Sequence, residues 1–314
     1  ENDVLRFGEN LDVITVELEN VCVPALETLE RRGATVRPSP QTLRIVQDKG
    51  LQKQFLEQHG FPTAPFAPVN DERELQTAVR RFGAAVVKLR RGGYDGKGVI
   101  FDLSEPLRGP SIVEQKIAVE RELSVVAVRS PGGETRVYDP VETFFHPEAK
   151  LVEKLVCPAA LADDLRRQAQ ELTLNIADKL QHVGVMAVEF FLDGDERLWV
   201  NEISPRPHNT GHHTIEACRV SQFEQHLRAI LDLPLGDSTL RSPAAMLNIL
   251  GVRHGPPRYR GLREILSIAG VKVHLYGKKI ATPHRKLGHI TVLGDDYAQI
   301  ARKLEVIAQN FAVV

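Results

Sequence analysis

The spacing of hydrophobic residues predicts an alternation of strands and helices along most of the chain. Short β-branched runs such as residues 12–17 are typical of strands, whereas the amphipathic stretch 162–180 is typical of a helix. Pro24 and Gly33 mark the ends of a predicted helix. The predicted strands are residues 12–17, 34–37, 85–89, 99–102, 112–115, 123–128, 185–192, 197–203, 245–250, 271–275 and 289–293. The predicted helices are residues 25–32, 39–60 with a break at Gly50, 72–81, 162–180, 221–231 and 297–310.

Glycine and proline divide this pattern into three units. The clearest break lies at residues 60–68, where Gly60 is followed by prolines at positions 62, 65 and 68. We therefore predict an N-terminal α/β unit over residues 1–60, a central unit over 61–240 and a small β-rich unit over 241–314. The predicted fold class is α/β and α+β. The first unit begins as a β-α-β arrangement without an opening strand and turn.

The composition is that of an ordinary globular protein and argues against several functions. Forty Lys and Arg residues balance 41 Asp and Glu residues, so the net charge of −1 does not favour a nucleic-acid partner. No apolar run approaches about 18 residues and no secretory segment opens the chain, so we expect a soluble cytoplasmic protein without membrane contact. Three scattered cysteines, Cys22, Cys157 and Cys218, predict reduced thiols without a disulfide framework or zinc ribbon.

A glycine-rich basic loop is the first candidate for chemistry. Residues 88–98 read KLRRGGYDGKG and lie between two predicted strands. Glycines let backbone amides approach an anion closely, and Lys88 and Lys97 are among the basic side chains that supply charge. No helix follows at the required place, so the loop is neither a Walker loop nor a dinucleotide fingerprint. The alternative is a flexible basic hairpin.

Two glutamates on a predicted hairpin indicate a divalent cation. We expect Phe191 to face Val200 across the turn. That register sets Glu189 opposite Glu202 and points Asn201 to the other face. Opposed Cβ atoms are about 5 Å apart, so the carboxylates would repel unless a cation bound them, and such oxygen ligands suit Mg²⁺ shared with phosphate. The alternative is one glutamate neutralised by a nearby arginine, Arg197 or Arg206.

The densest polar run, residues 201–214, holds an arginine between two prolines. Pro205 and Pro207 fix the backbone and direct Arg206 as a bidentate anion-binding group. Three histidines follow in the same run: His208, His212 and His213. Without a nearby thiol or an HExxH pattern, single histidines in a solvated turn are favoured over a zinc site.

Two basic clusters flank a short turn near the C-terminus. Residues 276–279 read YGKK and residues 285–289 read RKLGH, with Pro283 between them. Ammonium and guanidinium groups on both sides of a hairpin make a phosphate clamp. The alternative is an ordinary solvated hairpin end.

Together these motifs resemble those of a known enzyme family. Their order and spacing resemble the ATP-grasp ligases at Lys49, Lys88, residues 93–98, residues 114–117, Glu122, Glu189, Asn201 and Glu202. Four segments resemble, more narrowly, the 5-(carboxyamino)imidazole ribonucleotide synthases: residues 15–20, 93–96, 205–212 and 285–289. The resemblance covers residues 12–293 without the family's opening glycine-rich segment. It implies an ATP-grasp fold with a partial Rossmann-like (pre-ATP-grasp) domain, a lid at about residues 84–146 and a small β-rich C-terminal subdomain.

The resemblance implies an ATP-dependent carbon–nitrogen ligase of de novo purine biosynthesis. ATP would phosphorylate bicarbonate to carboxyphosphate, and the amine of aminoimidazole ribonucleotide would take up the carboxyl group. Glu189 and Glu202 would hold Mg²⁺, and Arg206, His208 and Asp95 would be the catalytic residues. The implied partners are these small molecules and a second copy of the chain in a homodimer.

The resemblance also implies two sets of binding residues. The ATP-binding set is Lys49, Lys88, Gly93, Tyr94, Asp95, Gly96, Lys97, Gly98, Val99, Glu114, Gln115, Lys116, Ile117, Glu122, His146, Asn201 and Glu202. The acceptor-binding set is Glu17, Tyr94, Lys97, Lys278, Arg285 and Lys286. Two alternatives stay open: a formate-using glycinamide ribonucleotide enzyme, which shares the arginine–proline–histidine turn, and a nucleotide-binding protein without catalysis.

Overall fold

The computed structural model describes residues 1–92, 98–100, 106–149 and 151–314. The helices are α1 (Asn2–Gly8), α2 (Val23–Arg31), α3 (Pro40–Val46), α4 (Lys49–Gln58), α5 (Glu72–Phe82), α6 (Asp163–Lys179), α7 (Thr214–Ala217), α8 (Gln222–Ile230), α9 (Leu262–Leu266) and α10 (Tyr297–Asn310). The strands are β1 (Val13–Ile14), β2 (Thr35–Val36), β3 (Phe66–Val69), β4 (Ala85–Leu89), β5 (Val99–Ile100), β6 (Ser111–Gln115), β7 (Val119–Arg129), β8 (Thr135–Val137), β9 (Val141–Phe145), β10 (Val152–Cys157), β11 (Gly184–Asp193), β12 (Leu198–Ser204), β13 (Ala244–Leu250), β14 (Tyr259–Arg260), β15 (Val271–Leu275), β16 (Lys286–Leu293) and β17 (Ala312–Val313). None of the helices in these described ranges is long and apolar enough to cross a membrane.

The N-terminal unit contains the predicted β-α-β arrangement. β1 and β2 pair in parallel, and Leu26 and Leu29 of α2 pack against Ile14 and Val36 in a small core. The sequence pattern does not predict α1, because no side chain caps its N-terminus.

The predicted long helix after Ser39 is two helices, and the predicted break at Gly50 is wrong. The chain breaks before Asp48, whose Oδ1 accepts the backbone N–H groups of Gly50 and Leu51 at 2.9 and 3.2 Å and so caps α4. Gly50 lies inside the first turn. A Cβ there would be 2.8 Å from Arg90 Nε, so the glycine serves close packing and does not end a helix.

A four-stranded antiparallel sheet follows, in the order β3-β6-β4-β5, with α5 packed against it. The predicted strand at residues 85–89 is confirmed with the same bounds. β3 lies in the segment interpreted as a linker because of its prolines. Pro68 is tolerated in β3 because this strand lies at the edge of the sheet.

Among the described residues, nine strands form one antiparallel sheet that runs from the central unit into the C-terminal unit. Its order is β12-β11-β7-β9-β10-β13-β16-β15, with β8 beside β7. β10 pairs with β13, so strands on either side of residue 240 are hydrogen-bonded neighbours. Helix α6 packs on this sheet, with Ile176 buried against Met186 and Leu123. The sequence pattern did not reveal β9 and β10, because charged residues such as Glu142 and Lys154 interrupt their apolar runs.

Candidate active site

The predicted glutamate pair lies at the centre of the site. Glu189 on β11 is directly opposite Glu202 on β12, as the sequence predicts. The register beyond the pair differs from the prediction by one residue, because Phe191 faces Trp199. A β-bulge between these pairs absorbs Asn201 as an extra residue on β12.

The bulge redirects the side chain of Asn201, which the sequence placed wrongly on the opposite face. Asn201 Oδ1 accepts a hydrogen bond from Lys88 Nζ at 3.0 Å. On the neighbouring residue, Glu202 Oε1 accepts one from Lys49 Nζ at 2.6 Å. Two consecutive residues of β12 therefore hold the two lysines that the sequence assigned to nucleotide phosphates.

Glu189 is held in an unfavourable electrostatic position. Burial, together with the charges of Glu202 and Glu122, raises the pKa of Glu189 to about 7. His208 Nε2 lies 3.8 Å from Glu189 Oε1. Burial first, and then the charge of Arg206, hold the pKa of His208 well below its ordinary value, so the ring is neutral. A neutral imidazole does not compensate the negative charge of Glu189.

Neither arginine of the alternative interpretation neutralises the pair. The guanidinium of Arg197 packs over Trp199, 4.5 Å from the ring centre, and Arg206 Nε binds Glu19. Glu202 is neutralised instead by Lys49. Although burial opposes it, Glu202 holds the pKa of Lys49 above its ordinary value.

A buried charged cluster extends from the glutamate pair. Lys88 Nζ donates to Glu114 Oε2 at 3.0 Å, and Lys53 Nζ lies 3.4 Å from the same oxygen. The other oxygen, Glu114 Oε1, is buried and has no hydrogen-bond partner among the described residues. Sequence reasoning missed Lys53. Its one signal was the four-residue spacing from Lys49, which places both lysines on the same face of α4.

The arginine–proline–histidine turn is tied to the N-terminal unit. Glu19, which the sequence did not assign, pairs with Arg206, and that guanidinium holds the pKa of Glu19 below its ordinary value although burial opposes the shift. Arg206 Nη1 also donates to the Pro207 carbonyl at 3.1 Å. The backbone N–H of His208 donates to Gln222 Oε1 at 2.9 Å. The turn is therefore rigid, as the two prolines predict.

His213 is buried and His208 and His212 are half-buried, so the interpretation as a solvated turn is wrong. His208 Nδ1 accepts the N–H of Thr210, which assigns the proton to Nε2, the nitrogen nearest Glu189. His213 is 1% exposed, and His212 packs against His289, with ring centres 4.9 Å apart. No group of three or more His, Cys, Asp or Glu residues in the described ranges is placed to hold a metal.

Comparisons with known proteins identify the family. The ribonucleotide synthetase pre-ATP-grasp domain matches residues 1–47, the ATP-grasp domain residues 54–223 and the phosphoribosylaminoimidazole carboxylase C-terminal domain residues 244–303. An N5-carboxyaminoimidazole ribonucleotide synthase of Mycobacterium bovis is 41% identical over 320 residues, which cover 96% of this chain and 74% of that protein. This chain belongs to the N5-carboxyaminoimidazole ribonucleotide synthase family.

Solved structures of N5-carboxyaminoimidazole ribonucleotide synthases share the fold. The Thermotoga maritima enzyme has a TM-score of 0.91 and 38% identity, over 100% of this chain and 85% of that one. A synthase from Aspergillus clavatus, described as a complex with ADP and 5-aminoimidazole ribonucleotide, has a TM-score of 0.88 and 30% identity, over 98% and 83% of the two chains. The predicted ATP-grasp fold and the carbon–nitrogen ligase class are confirmed, and the formate-using family is disfavoured.

The synthase residues predicted for the acceptor fall in three places within the part of the chain that the structure describes. Lys278 and Arg285 are exposed on the hairpin between β15 and β16, where Arg285 Nη1 donates to the Ile280 carbonyl at 2.5 Å. Lys286 is half-buried and lies close enough to the glutamate pair for its charge to oppose the raised pKa of Glu189 and to add to the lowering of the His208 pKa. Glu17, after β1, is exposed.

The remaining residues predicted to bind nucleotide lie on the two sheets. Gly98 and Val99 border β5, where the Gly98 carbonyl accepts the N–H of Leu89 at 2.8 Å. Gln115, Lys116 and Ile117 form the end of β6 and the segment after it, and Glu122 lies on β7, where burial raises its pKa. His146 lies beside His284, with ring centres 5.2 Å apart, at a cavity of about 390 Å³. Residues 93–97, which include Gly93, Tyr94, Asp95, Gly96 and Lys97, lie outside the described residues.

Proposed function

We propose that this chain uses ATP and bicarbonate to carboxylate the amine of 5-aminoimidazole ribonucleotide, releasing ADP and phosphate. A bicarbonate oxygen attacks the γ-phosphorus of ATP, which forms carboxyphosphate as ADP leaves. The amine nitrogen then attacks the carboxyl carbon, phosphate leaves, and the nitrogen loses a proton. The observation that carries the proposal is the pair of opposed carboxylates, Glu189 and Glu202, flanked by the half-buried lysines Lys49 and Lys88.

The lysine cluster fits a nucleotide. Lys49 and Lys88 would face the phosphates, whose charge both would neutralise. Glu114 Oε1, buried without a partner among the described residues, suits a hydrogen-bond donor such as the 6-amino group of adenine. Glu114 would thus contact the base edge with the oxygen that does not contact Lys88 or Lys53 in this structure. Glu122 remains the candidate for the ribose hydroxyls.

The glutamate pair fits Mg²⁺ bound together with the nucleotide. Mg²⁺ is usually held by one or two carboxylates plus substrate phosphates, and two carboxylates are what β11 and β12 supply. Burial, and then the charges of Glu202 and Glu122, raise the pKa of Glu189, and a bound divalent cation would stabilise its carboxylate. Bound there, Mg²⁺ would stabilise charge on the transferring phosphoryl group.

The turn at residues 205–208 supports the bicarbonate role. Arg206 is fixed by two prolines and by Glu19, so its guanidinium is held in one orientation in the turn that follows β12, the strand of Glu202. His208, neutral and protonated at Nε2, would donate a hydrogen bond to an oxygen of carboxyphosphate. Lys278, Arg285 and Lys286 would hold the acceptor phosphate, and Glu17 its amine.

The test is ADP release by the purified chain with ATP, Mg²⁺, bicarbonate and aminoimidazole ribonucleotide, compared with each omitted. We expect release to require all four, and labelled carbon from bicarbonate to appear in the product. Formate-driven turnover on a glycinamide ribonucleotide acceptor would support the rival enzyme. Nucleotide binding without turnover would support the non-catalytic alternative.

We further propose that the chain works in the cytoplasm as a homodimer. Among the described residues, Cys157 and Cys218 are buried free thiols and Cys22 is half-buried, which suits a reducing compartment. Sedimentation of the purified chain tests the dimer.

A further inference from the structure

Lys53 is a buried lysine that the proposed reaction does not use. Its side chain is 3% exposed, compared with 13% for Lys88 and 16% for Lys49. Lys53 Nζ donates to Thr63 Oγ1 at 2.6 Å, and that hydroxyl in turn donates to the Val200 carbonyl at 2.9 Å. Lys53 is therefore anchored between α4 and β12, behind the lysines that face the site.

Lys53 and Lys88 share one carboxylate oxygen. Glu114 Oε2 lies 3.0 Å from Lys88 Nζ and 3.4 Å from Lys53 Nζ, and the Glu114 side chain is 4% exposed. Burial would raise the pKa of Glu114, but the two ammonium groups hold it below its ordinary value. Glu114 is thus a buried anion with two resident cations.

A phosphate that attracts Lys88 would draw it away from Glu114. A buried carboxylate that loses its counter-ion is strongly destabilised, so Lys88 can leave only if another cation stays behind. Lys53 satisfies this requirement because its hydrogen bond to Thr63 keeps it in place. Arginine or lysine at the protein surface could not serve, since the Glu114 side chain is only 4% exposed.

We propose that Lys53 is a positioning residue whose fixed charge neutralises Glu114 and thereby releases Lys88 to bind nucleotide phosphate. The inference rests on the proposed role of Lys88 at the phosphates. Lys53 itself does not touch the nucleotide. Without Lys53, Glu114 keeps Lys88 as its ion-pair partner, and the nucleotide must compete with a buried ion pair.

The test is a double-mutant cycle on the KM for ATP. Lys53→Met keeps the length of the side chain and removes its charge, so we expect the KM for ATP to rise about 10- to 100-fold while kcat and the KM for the acceptor change little. Glu114→Gln removes the anion that holds Lys88. In the Glu114→Gln background, Lys53→Met should therefore change the KM for ATP by less than about threefold. If the counter-ion role is right, the double variant should bind ATP more tightly than Lys53→Met does.

Controls separate this inference from the proposed function. Lys303 is a half-buried lysine whose Nζ donates to the Leu293 carbonyl in the C-terminal unit, and Lys303→Met should leave the KM for ATP unchanged. Lys88→Met should raise the KM for ATP. An unchanged value for Lys88→Met would overturn the nucleotide assignment and this inference together.

Two results would overturn the counter-ion role alone. One is that the losses of ATP affinity in Lys53→Met and Glu114→Gln simply add in the double variant. The other is a normal KM for ATP in Lys53→Met together with a raised KM in Lys88→Met. If Lys53→Met does not fold, Glu114→Gln and the double variant still decide, because both lack the buried anion. If the affinity for ATP is more than about tenfold lower in the double variant than in Glu114→Gln, Lys53 acts by another route.

Discussion

At the scale of single residues, the site contains a buried carboxylate whose negative charge is unfavourable. Substrates and Mg²⁺ are proposed to stabilise that charge. Glu189 carries a pKa of about 7 because it is buried beside two other carboxylates. The pKa in the folded protein is higher than in the unfolded chain, so the native state binds the proton more tightly. Stability contributed by that proton is present below about pH 4.5 and is lost as the pH rises towards 7.

Glu189→Gln should therefore stabilise the Mg²⁺-free protein at pH 8 and give no gain at pH 4.5. We expect a rise in Tm of about 2 °C at the higher pH. The same variant should lose ATP turnover, since one of the two carboxylates is gone. Thermal unfolding at the two pH values with EDTA present checks the first part, and ADP release the second.

The matched control is Glu57→Gln, which removes an exposed glutamate on α4. It should change neither Tm nor turnover. Near-normal Mg²⁺-dependent ADP formation by Glu189→Gln would rule out the metal assignment.

At the scale of elements, the boundaries that local signals control were predictable and the ones that tertiary contacts control were not. β4, β15 and α10 were predicted with their observed bounds. The break before α4 was misplaced, because a glycine is a visible signal whereas a capping aspartate shared with Arg90 is not. The bulge at Asn201 was invisible for the same reason, since it depends on pairing across the hairpin.

The cap of α4 gives a testable prediction. Asp48 is 4% exposed, caps two backbone N–H groups and binds Arg90 through both oxygens, at 2.8 and 2.9 Å. Asp48→Ala should destabilise the protein by about 2–4 kcal/mol, because it removes a cap and leaves a guanidinium unpaired. Asp71 caps α5 at one N–H group from an exposed position, so Asp71→Ala should lower stability by only about 1 kcal/mol.

Urea unfolding of both variants, monitored by circular dichroism, measures the difference. Asp48→Asn should retain the cap and lose only the ion pair, and its stability should lie between those of Asp48→Ala and the wild type. Equal losses of stability in Asp48→Ala and Asp71→Ala would contradict the proposal that Asp48 both caps α4 and pairs with Arg90.

The hairpin between β15 and β16 carries the next prediction. Lys278 and Arg285 are exposed there and are proposed to bind the acceptor phosphate. Each alanine variant should lose about 10- to 100-fold in acceptor affinity, since a charge-assisted hydrogen bond contributes about 1.5–3 kcal/mol. The KM for ATP should stay nearly constant.

Steady-state kinetics with each substrate varied in turn gives the answer. Lys272→Ala, an exposed lysine on β15, is the control and should affect neither substrate. A change confined to the KM for ATP would contradict the clamp.

At the scale of the whole molecule, the three units meet at the site. Glu19 comes from the N-terminal unit, Glu189 and Arg206 from the central unit and Lys286 from the C-terminal unit. The resemblance named the motif residues, but no local pattern reveals which side chains meet across 150 residues or more, as Lys49 and Glu202 do. Glu19 escaped prediction for that reason, because its partner Arg206 lies 187 residues further along the chain. Lys53 escaped it because its partner Glu114 lies on a strand of a different element, β6.

The selectivity for bicarbonate over formate depends on contacts between these units. Arg206 is fixed by Glu19, so it suits a planar anion with three oxygens, and formate lacks one oxygen of bicarbonate. We expect phosphate release in carbon-dioxide-depleted buffer to be restored by bicarbonate and poorly by formate. Arg206→Ala should lose most carboxylation, whereas Arg219→Ala, at an exposed ion pair with Asp237, should retain it.

Labelled-carbon incorporation and phosphate release, measured together, decide the outcome. Equal stimulation by formate and bicarbonate would contradict the assignment of Arg206.

The continuous nine-stranded sheet limits how the chain can be shortened. Cutting after residue 240 would remove β13 and leave β10 with a row of unpaired backbone groups. An unpaired edge strand can pair with other copies of the chain. A chain shortened in this way should therefore aggregate instead of serving as a minimal nucleotide-binding fragment. Chimeras between relatives would therefore be joined better at the N-terminal unit, whose two short strands form a sheet of their own.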